Sequence, residues 1–519
     1  VLRPSLLTLK AALNKNSRPT AEFRATAVLL ALTCALVLLF PEWFTNTIGS
    51  ATSQAMLWLD SAILWFATAM LLLCLVLGAG PWGRLRLGAE HETPEFSTAS
   101  WLAMLFAAGM GSGLVFWGVA EPLTHFANPP PGTNDATARQ SMAFAATFFH
   151  WGLHAWAIYA IAGLAIAWFT YRQGAAESPS GVLQQGLSGL LPAGLLKALG
   201  GLADTLAILA VVFGVAAALA NGTILLHEGL GQASGRTLPQ AAAYVIILLS
   251  MGLVFLLSAM SGLRRGIRWL SSGNLLLALL LMCLVFVSSD QNAILQDLWQ
   301  GIGQYLRILP EWSLQPQELD GSRSWSHGWT ITYLLWWIAW APFVGVFIAR
   351  ISRGRSVRAY LLGVLAVPVL FSICWFAVLG GAALAWNAEH QGNLLELVQA
   401  DYTAPLFAWL GKLPAEWARL GSVMIWMACL LLFVFLVTSA DSAAYVLGML
   451  SEQGNPYPTQ RSTLLWGGLT VVLAAGLLAR DSADVNKTVA IAGAIPYAFL
   501  LLLQVLALIR SLLAELRRK

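Results

Sequence analysis

The stretch WTITYLLWWIAWAPFVGVFIARISRGR, residues 329–355, carries four tryptophans in its first twelve positions. On a helix, offsets of three and four return to the same face, so Trp336, Trp337 and Trp340 form one stripe. A second aromatic face runs through FHWGLHAWAIYAIAGLAIAW (149–168), where Trp151, Trp156 and Tyr159 share one broad side. Indole and phenol faces turned toward one cavity suit a quaternary ammonium ion. Such a cation has no N–H to donate, so a carboxylate gains little selectivity for it. Ring quadrupoles attract its diffuse charge instead, by about 2 kcal/mol or more per desolvated contact. No Asp or Glu stands beside either stripe in the sequence, where a primary amine or a metal would call for one.

A second pattern complements the first. AAGMGSGLVFWG (107–118) alternates Gly109, Gly111 and Gly113, with Ser112 between the last two. Close packing of transmembrane helices repeats small residues every four positions; strict alternation fits an unwound segment better. Unwound backbone and the N-terminus of the following half-helix present free N–H groups and partial positive charge. Without a Cβ, glycine lets a ligand come close. That is a seat for a carboxylate, and the two patterns together predict a zwitterionic guest.

The elements that must hold these residues are apolar. Of 519 residues, 58% are hydrophobic and 10% charged, against about 25% charged in soluble globules. A bilayer core about 30 Å thick needs roughly 20 apolar residues per helix. Twelve such spans are expected, at 25–44, 54–78, 99–119, 142–170, 202–226, 239–259, 269–288, 329–349, 360–386, 420–448, 463–479 and 488–510. No stretch alternates apolar and polar residues as a membrane barrel strand would. The first span lacks a short core with a small-residue cleavage site, so it reads as a retained helix. Most Lys and Arg, including Arg84, Arg86, Arg264, Arg265, Arg350, Arg353, Arg355 and Arg358, fall on one side of the resulting topology. With an even number of spans, this places both termini in the cytoplasm. The net charge of +4 gives no reason to expect nucleic acid. All five cysteines lie in apolar spans, without disulfide or metal-ligand spacing.

The chain reads as one membrane unit: a tail (1–24), two peripheral helices (25–78), two five-helix blocks (99–288 and 329–510) and a short tail (511–519). Stretches 290–307 and 389–418 read as interfacial helices or caps over a vestibule. Interrupted apolar segments mark binding sites in transporters, since unwound backbone at membrane depth survives only where it lines a cavity. The glycine segment is one; Ala341-Pro342 is the other, at a comparable place in the second block, the layout of an inverted repeat. Trp117 and Trp325 fit an interfacial aromatic belt. His150 and His154 have metal-ligand spacing but no further ligand nearby in sequence, and read as hydrogen-bonding helix residues. Asp441 is an acid at membrane depth and thereby a functional candidate; Arg350, Arg353, Arg355 and Arg358 suggest an inner gate network. No nucleophile–base pair or ligand cluster argues for an enzyme.

GMGSGLVFWGVAEPL (109–123), HWGLHAWAIYA (150–160), the 329–355 stretch and TSADSA (438–443) resemble the betaine/choline/carnitine transporter family over about residues 25–510. The resemblance implies an all-α polytopic fold of twelve transmembrane helices with two five-helix inverted repeats, shared with sodium/amino-acid symporters, usually as a homotrimer. It maps the family's aromatic box onto Trp151, Trp156, Tyr159 and Trp337, with Trp340 adjoining and Trp336 nearer the outer path. It implies a Na⁺ site made of Thr438 and Ser439 hydroxyls with carbonyls of Ala107, Met110 and Phe435, and no other cofactor. Apart from the resemblance, Arg350 and Asp441 are the gating candidates, Asp441 by orienting the sodium site or pairing with a basic residue, with a purely structural partner as the alternative. Sodium-independent exchangers of the family have a methionine where this chain has Val344 and an arginine near Ala217, and neither is present. Two threonines of a second sodium site are Val211 and Val215 here, so one Na⁺ per cycle is expected. Choline-type members often have an aspartate at the position of Gly113. The expectation is Na⁺-coupled symport of a quaternary-ammonium zwitterion, such as glycine betaine or carnitine, across the inner membrane by alternating access. A Na⁺-independent exchanger and a choline carrier are the alternatives. Family members regulated by osmotic strain carry long charged tails; after the last span this sequence has only RSLLAELRRK, so tail-based osmosensing is not expected.

Overall fold

The computed structural model describes residues 21–517 other than 110, 132, 134–135, 262–263, 319–320, 391 and 414–417. Among the described residues the chain is helical, with one isolated antiparallel bridge between Arg86 and Ser356. In order the helices are α1 (Ala21–Leu39), α2 (Pro41–Ala79), α3 (Thr98–Gly109), α4 (Ser112–Ala127), α5 (Ala136–Trp151), α6 (Leu153–Gln173), α7 (Pro179–Gly186), α8 (Ala193–Ser234), α9 (Gln240–Ser261), α10 (Arg264–Val287), α11 (Gln291–Trp312), α12 (Thr332–Ile351), α13 (Val357–Glu389), α14 (Leu394–Ala400), α15 (Pro405–Leu410), α16 (Ala418–Ser451), α17 (Gln460–Leu478), α18 (Ala483–Ala492) and α19 (Ala494–Arg517). A hydrocarbon solvent offers backbone groups no partner, so apolar runs of this length close all their hydrogen bonds within the helix. Polar signals then stop them. α6 ends at Gly174 and α8 at Gly235, both left-handed (φ 70° and 63°), and Ser356 caps α13 by accepting from Ala359 N–H.

Every expected span falls on a helix, but nine described helices, or ten if the bent pair α10–α11 forms one span, are long and apolar enough to cross a membrane. The expected span 25–44 has its apolar run only over Phe23–Leu39. The span 99–119 is split into α3 and α4, of 12 and 16 residues. The span 269–288 turns through 114° into the amphipathic α11, which folds back along α5 and α13. The polytopic all-helical class therefore stands, and the shortfall from twelve comes from breaks and bends.

Two expectations fail here. Ala341-Pro342 does not interrupt its span: α12 runs through Pro342, and a π-helical segment, His327–Ile331, lies upstream instead. A buried helix tolerates the one backbone bond that proline removes when its neighbours pack around it. A break does occur at Gly152, between α5 and α6, where φ −97° and ψ −138° leave the helical region. The interfacial belt also fails for Trp117 and Trp325, which are 2% and 8% exposed and pack inside an aromatic cluster.

α6 lies at the centre, buried along nearly all its length. It crosses α12 where two glycines meet: a Cβ on Gly345 would stand 3.2 Å from the Gly163 backbone nitrogen. This approach brings the two aromatic stripes face to face about two turns away. Trp58, Ile246 and Leu276 are strongly exposed on α2, α9 and α10, as peripheral lipid-facing helices require.

Candidate functional site

A cavity of about 80 Å³ opens between these stripes. Trp151 and Tyr159 form one wall, Tyr333, Trp336, Trp337 and Trp340 the other, with Phe116 and Trp117 from α4 closing the space. Trp337 is the hub, its ring centroid 5.5 Å from Trp151 and 5.1 Å from Tyr159, at interplanar angles of 88° and 68°. Mutually edge-on rings expose faces to the space between them, the arrangement a diffuse cation needs. Trp156 is the exception among the expected residues. It is fully buried, packs on Tyr159 at 5.6 Å and Trp337 at 6.1 Å, and does not line the cavity. It supports the box from behind.

Local breaks in the helices aim these rings. The end of α5 at Trp151 frees the carbonyl of His150, which accepts the Trp337 indole N–H at 3.0 Å. Tyr305 Oη accepts from the freed Leu153 N–H at 3.3 Å, and a Cβ on Gly152 would come within 2.9 Å of that same oxygen. Gly113 has an equally local reason: a Cβ there would stand 2.8 Å from Cη2 of Trp151.

An acid does stand beside the box, contrary to the reading of the sequence. Glu121, on α4 and fully buried, accepts from His150 Nδ1 at 2.7 Å, Trp151 Nε1 at 2.8 Å and Tyr333 Oη at 2.5 Å. Its oxygens point at donors that carry the rings, and it does not line the cavity. The carboxylate thus fixes Trp151 and Tyr333 from outside the cavity. The expectation that the histidines lack a further ligand also fails, since Glu121, His125 and His150 bring three ligand atoms within 4.8 Å of one another. Both Glu121 oxygens already accept strong hydrogen bonds and His150 Nε2 faces Thr330 Oγ1 at 3.2 Å, whereas both ring nitrogens of His125 are buried without a hydrogen-bond partner, Nε2 lying 3.5 Å from Glu121 Oε1. His154 bonds Thr68 Oγ1 and Ser313 Oγ at 3.2 and 3.1 Å, as a hydrogen-bonding helix residue.

The polar pole is at the start of α4. Gly111, extended at φ −115° and ψ −164°, precedes it, and Gly111, Ser112 and Gly113 all line the cavity. The N–H groups that a helix start leaves free therefore belong here to residues lining the cavity. Asn221 on α8 adds a polar side chain, held by Asn486, which donates to its Oδ1 at 2.8 Å. The Trp340 indole N–H is buried without a hydrogen-bond partner. Met110 and the side chains of Ala107 and Gly109 lie outside the described residues.

Of the remaining expected residues, Thr438 and Ser439 sit on α16 next to this pole. Ser439 Oγ is 3.8 Å from where a Cβ on Gly111 would be. Thr438 Oγ1 donates to Val434 O at 2.8 Å and lies 3.2 Å from Phe435 O. Val211 and Val215 are both buried. Arg350 stacks over Tyr445 at 5.7 Å, while Asp441 is buried with its Oδ1 unpartnered; among the described residues no ion pair joins the two. Glu177, in the loop after α6, accepts from Tyr171 Oη at 3.1 Å. Burial pushes its carboxyl above the ordinary value, against the pull of Arg350 and of that hydrogen bond. Of the four arginines expected at an inner gate, Arg353 lies 5.4 Å over the ring of Tyr171, the donor to the Glu177 carboxylate that Arg350 attracts. Arg353 pairs with Glu92 at 2.5 Å, Arg355 donates to Phe96 O at 2.8 Å and Arg358 to Gly78 O at 2.7 Å, so each fastens a loop or a helix end.

Tyr333, Phe116, Trp117, Asn221, Ala218, Gly222 and Leu432 line the cavity without having been expected from the sequence. Tyr333 could have been found, four residues before Trp337 and so on its stripe. Nothing in the sequence marks the others.

Comparison with known proteins matches residues 22–517 to the model described as betaine/carnitine/choline family transporter. The glycine betaine transporter OpuD of Bacillus subtilis (strain 168) is 37% identical over 501 residues, which cover 94% of each chain. A glycine betaine transporter of Acinetobacter baylyi is 36% identical over 504 residues, 94% of this chain and 73% of that one. An ectoine/hydroxyectoine transporter of Virgibacillus pantothenticus is 35% identical over 443 residues, 84% of this chain and 85% of that one.

Proposed function

The chain belongs to the betaine/carnitine/choline transporter family and is a transporter, not an enzyme, and from that membership we propose that it carries a quaternary-ammonium zwitterion with Na⁺. The single observation behind the cargo is the ring cage, with Trp151, Tyr159 and Trp337 edge-on around one cavity. In this reading the ammonium rests on those faces, with Tyr333, Trp336 and Trp340 around it and Trp156 bracing them. The carboxylate meets the free N–H groups and Ser112 hydroxyl at the start of α4. Gly113 favours a zwitterion over choline, because at that position no acidic side chain enters the cavity to pair with a cation that lacks its own. Two relatives are named for glycine betaine and one for ectoine/hydroxyectoine; all of these compounds pair a delocalised or quaternary cation with a carboxylate. Glycine betaine is the cargo this geometry supports best.

Sodium is the second cargo. Thr438 spends its hydroxyl proton on Val434 O, which turns its oxygen lone pairs outward, and Phe435 O stands beside it. These oxygens, Ser439 Oγ and the carbonyls of Ala107 and Met110 form the proposed Na⁺ seat, adjoining the carboxylate pole. Val211 and Val215 offer no oxygen for another, so one Na⁺ accompanies each substrate. One charge crossing 100 mV supplies about 2.3 kcal/mol before the chemical gradient is added. The cycle is alternating access, with blocks 99–288 and 329–510 as the two moving repeats among twelve spans. Arg350 and Asp441 take part in closing the inner side. The protein acts as a homotrimer in the inner membrane, termini in the cytoplasm.

Uptake of labelled glycine betaine into proteoliposomes tests this directly. Accumulation that needs an inward Na⁺ gradient is expected. Undiminished accumulation after K⁺ replaces Na⁺ would reject the coupling, and no saturable uptake at all would reject the cargo.

A further inference from the structure

One cation of the protein's own is already seated on the aromatic roof of the cavity. Lys487, in the second turn of α18, has a side chain only 10% exposed. Its Nζ lies 4.5 Å from the ring centroid of Trp329 and 5.3 Å from that of Trp117. Trp117 lines the cavity, Trp329 stacks on cavity-lining Tyr333 (6.2 Å, 14°), and Tyr402 closes on Trp117 at 5.5 Å. The ammonium is thus one indole ring away from the space between the stripes. Its ion-pair partner is Asp484, three residues earlier on the same helix, at 3.9 Å and largely exposed. That separation is at the edge of a salt bridge; buried Glu121 also attracts the ammonium, and the two indole faces are its ring contacts beside the cavity.

We propose that Lys487 is a specificity residue, a tethered cation that admits zwitterions and turns away quaternary cations lacking an acid. This rests on the reading of the cargo as a quaternary-ammonium zwitterion. A positive group on Trp117 and Trp329 competes for the faces that an incoming ammonium meets beside the cavity. For a cation such as choline that competition is uncompensated, and like charges repel across a poorly screened gap. A zwitterion brings a carboxylate that can pair with the displaced ammonium, so the same lysine becomes a counter-charge during entry. Burying a cation this deep is costly in a membrane protein, and such residues persist where they serve binding or passage. A salt bridge to Asp484 alone would not require the aromatic faces.

The test compares glycine betaine with choline, two ligands that differ chiefly in the carboxylate. Competitive uptake in proteoliposomes gives the ratio of their kcat/KM values for the wild type, Lys487→Met, Lys487→Arg and Asp484→Asn. Lys487→Met should reduce the betaine-to-choline ratio about tenfold, the factor that losing 1.4 kcal/mol of one charge attraction produces. Lys487→Arg should hold the ratio near the wild type, and Asp484→Asn should leave it unchanged. A Lys487→Met protein that loses both activities equally, or neither, would overturn the proposal, because a merely structural lysine has no reason to distinguish the ligands. Should that variant fail to insert, Lys487→Gln gives the same comparison. A wild type that transports betaine with an unaltered ratio in the variants sinks only the role of Lys487. A wild type with no saturable uptake of either ligand sinks the cargo reading, and this inference with it.

Discussion

Removing the charge of Glu121 while keeping its shape tests whether a buried carboxylate aims the box. In Glu121→Gln only one oxygen remains. The indole N–H of Trp151 can only donate, so that oxygen must stay on the side where Trp151 and Tyr333 bond Oε2 in the wild type. The new amide NH₂ then faces His150, which must change tautomer, accept at Nδ1 and donate from Nε2 to Thr330 Oγ1. Thr330 can receive that proton because its own hydroxyl donates to Gln317 Oε1 at 2.7 Å. The geometry survives and the charge assistance does not. Charged hydrogen bonds contribute about 1 kcal/mol more than neutral ones, so three bonds amount to about 3 kcal/mol. Glu121→Ala instead strands three buried donors at about 1–3 kcal/mol each, offset in part by no longer burying a carboxylate. Thermal unfolding of the purified protein in detergent should rank wild type above Gln above Ala. Substrate titration by tryptophan fluorescence should show Kd raised about tenfold in the Gln variant, if roughly half of the lost energy is felt at Trp151. An alanine variant with wild-type melting temperature and Kd would refute the reasoning, since nothing would then depend on the three donors.

Trp337→Leu removes the hub of the cage and one or two desolvated ring contacts; at about 2 kcal/mol per contact, KM for the substrate should rise at least thirtyfold in uptake assays, with membrane insertion intact. Thr438→Ala should raise the Na⁺ concentration for half-maximal uptake and leave substrate affinity at saturating Na⁺ within about twofold, since one of the five proposed oxygen ligands is lost and no ring moves. At the end of α16, burial raises the Glu452 carboxyl, but hydrogen bonds from Ser462 Oγ (2.7 Å), Thr459 (2.7 and 2.9 Å) and Asn455 (3.0 Å) hold it below its ordinary value of 4.5. A depressed folded pKa means stability that is present at neutral pH and lost as pH falls through that pKa. The melting temperature should therefore drop on acidification to about pH 3 more in the wild type than in Glu452→Gln.

The apolar solvent, the helical class, the two aromatic stripes and the glycine break were all legible in the chain as written. Each depends on composition or on a repeat within one segment: apolar runs long enough for a bilayer, rings at offsets of three and four, glycines at offsets of two. Local rules specify which face a residue occupies, and Trp337, Trp151, Tyr159 and Gly113 all reach the cavity accordingly. Such rules cannot say what the face meets. Trp156 shares the stripe yet stands behind it, because Tyr159 and Trp337 fill the space in front. Trp117 and Trp325 have the composition of a membrane rim and are enclosed by partners from distant segments. Glu121 looked remote from both stripes, 29 and 30 residues before His150 and Trp151 and 212 before Tyr333, and packing makes it the bond that joins them. Lys487 reaches Trp117 and Trp329 in the same way, from well over a hundred residues away in each case. Periodicity is a property of one helix, whereas hydrogen bonds and ring contacts between helices depend on how closely the bundle lets them approach. Here the meeting of Gly163 and Gly345 decided that.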